Sequence, residues 1–363
     1  MAIELKHSVI HGFNKEAGQR EAFPIKKERL LDNNLPAVFS LVEGMVNLFG
    51  KRESRQVWGR FAHDHREGPF PLQFSGYAAG ESEAAEFLTL SGVVVDEIAR
   101  MASLQQAATG GHILCAHYET EAEQPRFIVA MIKERSGLQL NNDFVPQNVT
   151  EIDMSKLHQA ALICVDQFLE IEATGHQDEP EAIDYLSFVA KATDGLSEYF
   201  RSALGCAVGV SSGAATNRLY AGVDSVFSES EALRGYRRRA KESLTEYLRQ
   251  QLLANAQVTM EGVQGVLDRV VPHDLAQHVQ DIAQVLNGER FKVPESFHVK
   301  ESVVKSHSKV TLDNGRISLK FDRAMLGQQQ QSELYFDENG RKLTIQNLDD
   351  EMMQKLRNTL AGD

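Results

Sequence analysis

Residues 110–134, GGHILCAHYETEAEQPRFIVAMIKE, decide the fold class. Two β-rich apolar runs, His112–Glu119 and Arg126–Glu134, flank a polar turn, which predicts an antiparallel hairpin. Gly110 and Gly111 stop the segment before it. That segment, Glu81 to Ala108, has helical period, with Ala84, Phe87, Leu88, Leu90, Ile98, Met101 and Leu104 recurring on one side. Farther upstream, Ile3–Phe13 and Phe23–Leu31 read as another hairpin. Pro36 suits the first turn of a helix carrying Val38, Leu41, Val42, Met45, Val46 and Phe49. Gly59–Gly80, rich in Gly, Pro and His, reads as a surface loop. Downstream, Leu138–Leu140 and Ala160–Phe168 are candidate strands, and Asp153–His158 a single helical turn.

The expected class is therefore α+β rather than a series of βαβ units. It comprises an N-terminal α+β domain with an antiparallel sheet (1–178), a helical middle region (179–290) and a small β-rich C-terminal region ending in a helix (291–363). The first boundary rests on ATGHQDEPEA, residues 173–182, which has linker composition. Helical pattern follows in Ile183–Val189, Leu196–Leu204, Ala214–Phe227, Glu229–Leu253, Met260–Val271 and Asp274–Leu286, interrupted by Gly205–Gly213. After Pro294 the pattern turns to strands at Lys309–Leu312, Arg316–Phe321, Leu334–Phe336 and Lys342–Gln346, with turn signals at 313–315 and 337–340. A last helix spans about Asp349–Leu360.

The chain has 363 residues, 42% of them hydrophobic and 25% charged, which fits a folded protein of two or three domains. No stretch approaches ~18 uninterrupted apolar residues, and the N-terminus lacks the pattern of a signal peptide, so no membrane association is expected. Cys115, Cys164 and Cys206 lie far apart in apolar settings, as expected of buried thiols in the cytoplasm.

Charge is segregated. The net charge is −13, and residues 143–184 hold ten carboxylates against one lysine. Yet residues 233–249 carry six basic residues against two acidic ones. On a helix Arg234, Arg237, Arg238 and Lys241 fall at i, i+3, i+4 and i+7, one face, with Arg239 beside them and Arg249 in the same arc. Leu233, Tyr236, Ala240, Leu244 and Tyr247 form the core-facing side. Arginine can donate two parallel hydrogen bonds to phosphate. A second basic region, 292–323, has seven Lys/Arg against four Asp/Glu, with Lys300, Lys305 and Lys309 spaced through a polar stretch and Lys320 and Arg323 beyond it. Neither region interleaves aromatics or matches a helix-turn-helix or zinc finger, so contacts to phosphate, sensitive to salt and weakly selective for sequence, are expected.

Candidate chemistry is sparse. Gly205, Gly209 and Gly213 lack the Gly-Lys-Ser/Thr of a phosphate loop, and a connection between helices accounts for them. His63, Asp64 and His65 form a dense ligand-like cluster without a further ligand at usable spacing. His112 and His117, an odd number apart, would face opposite sides of a strand. Asp166, Glu170 and Glu172 lack the lysine a nuclease carboxylate set needs, and Ser211-Ser212 lacks a nucleophile elbow. No catalytic residue, metal site or cofactor is assigned, and the chain is read as not an enzyme.

Several long stretches resemble the bacterial 37-kDa nucleoid-associated protein family, NdpA/YejK. They are GGHILCAHYE (110–119), RFIVAMIKERSGLQLNNDFVPQNVTEIDMSKLHQAALICVDQF (126–168), YLSFV (185–189), ALGCAVGVSSGAATNRL (203–219), ISLKFDRAMLG (317–327) and LTIQNL (343–348). The resemblance implies a cytoplasmic, nucleoid-located DNA-binding protein without known enzymatic activity, a homodimer, with topoisomerase IV as a family partner. The family offers no catalytic motif to carry over. The expected DNA contacts are therefore those of the charge pattern: Arg234, Arg237, Arg238, Arg239, Lys241, Arg249, Lys300, Lys305, Lys309, Lys320 and Arg323. The leading reading is largely sequence-independent binding to the backbone of double-stranded DNA through a local basic surface on an acidic dimer. The alternatives are a protein-interaction factor whose acidic surface engages a DNA-processing partner, and a metal-dependent nuclease.

Overall fold

The computed structural model describes residues 3–49, 56–61, 68–154, 159–174, 184–189, 197–322 and 325–361. The α+β class holds. In the first half, β1 (Ile3–Asn14), β2 (Phe23–Ile25), α1 (Pro36–Val46), β3 (Gln56–Phe61), α2 (Pro69–Ala79) and α3 (Ala84–Ser103) precede the decisive hairpin. That hairpin is β4 (Gly111–Thr120) and β5 (Pro125–Ile132), in register from His112↔Ile132 to Glu119↔Pro125. A second hairpin, β6 (Glu134–Leu140) and β7 (Pro146–Ile152), leaves the sheet as an arm. The chain then returns through β8 (Ala160–Cys164), α4 (Val165–Thr174), β9 (Leu186–Val189), α5 (Ser197–Ala203) and β10 (Cys206–Val208).

Among the described residues the main sheet has the order β10-β3-β9-β8-β5-β4-β1-β2, with antiparallel pairing throughout. Side chains alternate across it with period two. Ile113, Cys115, Phe127, Val129 and Ile163 face a core shared with α2 to α5, and Leu114, Ala116, Ile128, Ala130 and Leu162 face one shared with α1. Covered on both sides, β4 and β5 read as continuous apolar runs. Gly110 is demanded by the close approach of β1: a Cβ there would lie 2.4 Å from the Phe13 carbonyl oxygen.

Three expectations are corrected here. Gly59–Gly80 is not a surface loop: β3 runs to Phe61, and α2 buries Phe70, Phe74 and Tyr77 at helical spacing. Pro69 and Pro71 sit in its first turn, where a missing N–H costs nothing. Described residues of Ile183–Val189 form strand β9, because a short apolar run carries no period that tells helix from strand. The sheet therefore continues past residue 178. The strand expected over Ala160–Phe168 ends at Cys164, where α4 begins. Residues 155–158, 175–183 and the cluster His63, Asp64, His65 lie outside the described residues.

The second core is helical. It joins α6 (Ser212–Glu229), α7 (Arg237–Leu253), β11 (Val258–Thr259), α8 (Met260–Leu267), α9 (Ile282–Asn287), β12 (Ser296–Phe297) and α10 (Glu301–Ser308) around Leu219, Leu244, Leu248, Val263 and Leu286. Its join to the sheet is polar. Asn287 accepts from the Gln56 N–H at 2.8 Å, donates to the Gln56 and Val293 carbonyls at 2.8 Å, and receives the Trp58 indole N–H on its own carbonyl at 2.7 Å. Beside it Arg126, 1% exposed, spans Asp166 and Glu289 at 2.7 and 3.1 Å. Arg218 reaches Asp184 at 2.6 Å. The C-terminal region holds hairpin β13 (Lys309–Asp313) and β14 (Ser318–Asp322), then β15 (Leu326–Gly327), β16 (Leu334–Asp337), β17 (Lys342–Ile345) and α11 (Asp350–Ala361). The turns open as their sequence demands: the Asp313 and Asp337 carboxylates accept from the N–H of Gly315 and Gly340 at 2.8 and 2.9 Å.

Candidate nucleic-acid interface

The basic run forms a surface because the other side of its helix is anchored. Leu233, Ala240, Leu244 and Leu248 are buried in the helical core, with Tyr236 and Tyr247 packed at its edge. The cations are thereby turned outward. Arg234 departs from the expected spacing, since it begins a separate 3-10 turn, Arg234–Tyr236, and α7 starts only at Arg237. Its guanidinium donates to the Ser228 carbonyl at 3.2 Å.

The remaining cations divide by what they touch. Arg237 grips Asp224 of α6 with two hydrogen bonds of 2.7 and 2.6 Å. The Arg237 hydrogen bonds, with Lys241 and His307 adding to them, hold the Asp224 carboxyl below its ordinary range. Arg238 pairs with Glu242 at 2.9 Å one turn on, and Lys305 with Glu301 at 2.8 Å. Arg239 and Lys300 form no ion pair among the described residues, and Lys241 acts on Asp224 by its charge alone, without an ion pair of its own.

The two basic regions meet through α10, whose residues read in the sequence only as a polar stretch. Its His307 ring stacks on Tyr220 of α6, centroids 3.9 Å apart and planes 19° apart. Tyr220 in turn donates to Thr245 of α7 at 3.0 Å. The Lys300 N–H donates to Thr216 of α6 at 3.1 Å, fixing the start of α10. Burial and the Lys241 charge push the His307 imidazole below its usual pKa, so Lys241 and His307 share one electrostatic neighbourhood. Lys309 begins β13 directly after α10, and Lys320 lies opposite Thr311 in β14. Arg323 lies outside the described residues.

Lys292, counted in the second basic region by composition, takes no part. It is 6% exposed, lies 5.0 Å over the Trp58 ring, and donates to Gln167 and to the Asp184 carbonyl. The candidate carboxylate set is likewise engaged elsewhere: Asp166 holds Arg126, and the Ser75 hydroxyl approaches Glu172 at 3.5 Å. Among the described residues no cluster of three or more His, Cys, Asp or Glu is poised to hold a metal, and no helix is long and apolar enough to cross a membrane. Sequence reasoning missed the Tyr220–His307 stack, since nothing in either segment says they meet.

Comparison with known proteins gives a consistent result along the chain. It is 24% identical to a nucleoid-associated protein of Metapseudomonas resinovorans, over 97% of this chain and 99% of that one. It is 23% identical to counterparts in Azotobacter vinelandii, over 99% of both chains, and in Pseudomonas paraeruginosa, over 98% of both. Residues 9–353 match the family model described as nucleoid-associated protein YejK, so the chain belongs to that family of nucleoid-associated proteins.

Proposed function

We infer that the protein binds the phosphate backbone of double-stranded DNA in the bacterial nucleoid, through the surface built by α6, α7 and α10. The observation that carries this reading is that α10 packs on α6 and α7 with Lys300 bonded to Thr216 at its start and His307 beside Lys241 at its end, while Arg239 stands exposed elsewhere on α7, in an otherwise acidic protein. Arg237 serves as a strut to Asp224, and Arg234, Arg238, Arg249 and Lys305 add peripheral charge. Lys309 and Lys320 extend the surface along the first C-terminal hairpin. The acidic remainder repels DNA elsewhere and so confines where the duplex lies. A homodimer would present two such surfaces and raise avidity. Topoisomerase IV is the protein partner that the family resemblance suggests.

The test is a salt series. If each of the three cations neutralises a phosphate, replacing Arg239, Lys241 and Lys300 with Ala makes the slope of log K against log salt shallower by about 2–3. Affinity for unrelated duplex sequences should fall in parallel. An unchanged slope would remove this surface as the DNA site. Retention of topoisomerase IV from nuclease-treated lysate, together with an unchanged slope, would favour the protein-interaction reading.

A further inference from the structure

The β6–β7 arm has two unlike faces. One carries Leu138 and Leu140 opposite Asn148 and Pro146, with Ile152 at its base. The other carries Arg135 paired to Glu151 at 2.8 Å, Gly137 opposite Val149 and Gln139 opposite Gln147. In the turn at the tip Phe144 is 81% exposed, and along the strand Leu138 is 75% exposed. The arm's exposed apolar side chains gather toward the tip, and a lone two-stranded hairpin is marginal in water.

A groove of about 1200 Å³ opens at the opposite edge of the hairpin sheet, between the end of β1, the segment after β2 and residues 109–112. Ile10, Ile25 and Leu31 give it apolar walls, Gly12 leaves room at its floor, and Lys27 and Arg29 stand exposed at its rim. Edge strand β2 beside it exposes Phe23 by 60%.

We propose that the arm of one protomer lies in this groove of a second copy of the chain, and reciprocally, so that β6–β7 is an exchange arm. The proposal rests on the dimeric reading above and deepens it by naming the contact. Charge is opposite in sign: on the arm, Arg135 holds Glu151 and Asp153 and leaves Asp143 near the tip without an ion pair among the described residues, while in the groove Lys26 is paired to Asp96 and Lys27 and Arg29 remain at the rim beside Glu28. The arm is long, its seven-residue strands extending about 24 Å at ~3.4 Å per residue. The arrangement also closes on itself. Glu134 at the base of the arm lies 3.7 Å from His112, which lines the groove, so each arm begins at the rim of its own groove. A two-fold axis through that rim sets both arm–groove contacts side by side, as an isologous dimer requires.

The experiment measures the mass of the full chain across a dilution series without DNA. Leu138→Asp with Phe144→Asp alters the arm, and Lys27→Glu with Arg29→Glu alters the groove. All four positions are exposed, and an unchanged circular dichroism melt checks that each variant folds. Each pair should weaken the dimer at least ~10-fold. Mixing the two variants should restore a heterodimer, since one intact arm then meets one intact groove. A wild type that is monomeric at every concentration would end the dimeric reading along with the proposal. Variants that dimerise as tightly as a dimeric wild type, or a mixture that recovers nothing, would overturn the exchange arm and leave the dimer standing.

Discussion

A phenol meets the buried ring of His117. Burial holds the Tyr77 hydroxyl above its ordinary pKa, so it remains a donor, and it meets Nδ1 of His117 at 2.5 Å. The other ring nitrogen of His117, Nε2, is buried without a partner. Burial pushes His117 down to about 4, and His11 likewise to about 4. For both, the unfolded chain takes up a proton near pH 6.5 and the folded chain only near pH 4. Stability should therefore be highest above pH 6.5 and fall as pH drops toward 4. Urea midpoints at pH 7 and pH 5 measure the loss, and His117→Gln, with no proton to gain, should flatten part of it. The Arg126 guanidinium offers a second test. Arg126→Met leaves Asp166 and Glu289 without their cation, but each carboxylate keeps 34% exposure and so some water. The expected cost is about 2–3 kcal/mol by urea unfolding, below the ~3–5 of a fully enclosed pair.

Elements were legible wherever period and punctuation agreed. The β4–β5 hairpin, α1 behind Pro36 and the two C-terminal hairpins were readable because apolar alternation and turn residues pointed the same way. Helix α2 was hidden because Pro69, Pro71 and Gly76 signal a loop by composition, while Phe70, Phe74 and Tyr77 signal a helix by spacing, and burial decided for the second. The anchoring face of α7 was legible from Leu244 and its neighbours. Its partners were not, since the ion pair Arg237–Asp224 and the Tyr220–His307 stack join segments 13 and 87 residues apart. That stack is testable at its own scale. Tyr220→Ala removes no cation, yet it takes away the stack that holds the end of α10 on α6 and the bond from α6 to Thr245 of α7. DNA affinity in a gel-shift assay should fall several-fold while the salt slope stays within about one unit of wild type, because the charges persist and only their common placement is lost.

At the scale of the molecule, two cores meet through a polar seam. The sheet core and the helical core each bury their own apolar side chains, and the seam between them is held by Asn287, Arg126, Arg218 and Lys292. Such a seam contributes direction more than free energy, because each buried hydrogen bond nets only ~1 kcal/mol. It nonetheless couples the halves, since neither can open without exposing Trp58 and stranding the Asn287 amide. One cooperative unfolding transition is therefore expected in calorimetry. Replacing Asn287 and Glu289 together with Ala removes the bonds to Gln56 and half the carboxylate cage of Arg126, while both cores keep their apolar contacts. The single transition should then separate into two. DNA affinity in the folded range should be unchanged, because among the described residues neither Asn287 nor Glu289 bonds to Arg239, Lys241 or Lys300, whose helices remain packed on their own core. Two transitions with intact DNA binding would mean that the helical unit carries the interface by itself. A single transition moved to lower temperature would mean that apolar contact across the join, rather than the Asn287 network, makes the protein one cooperative body.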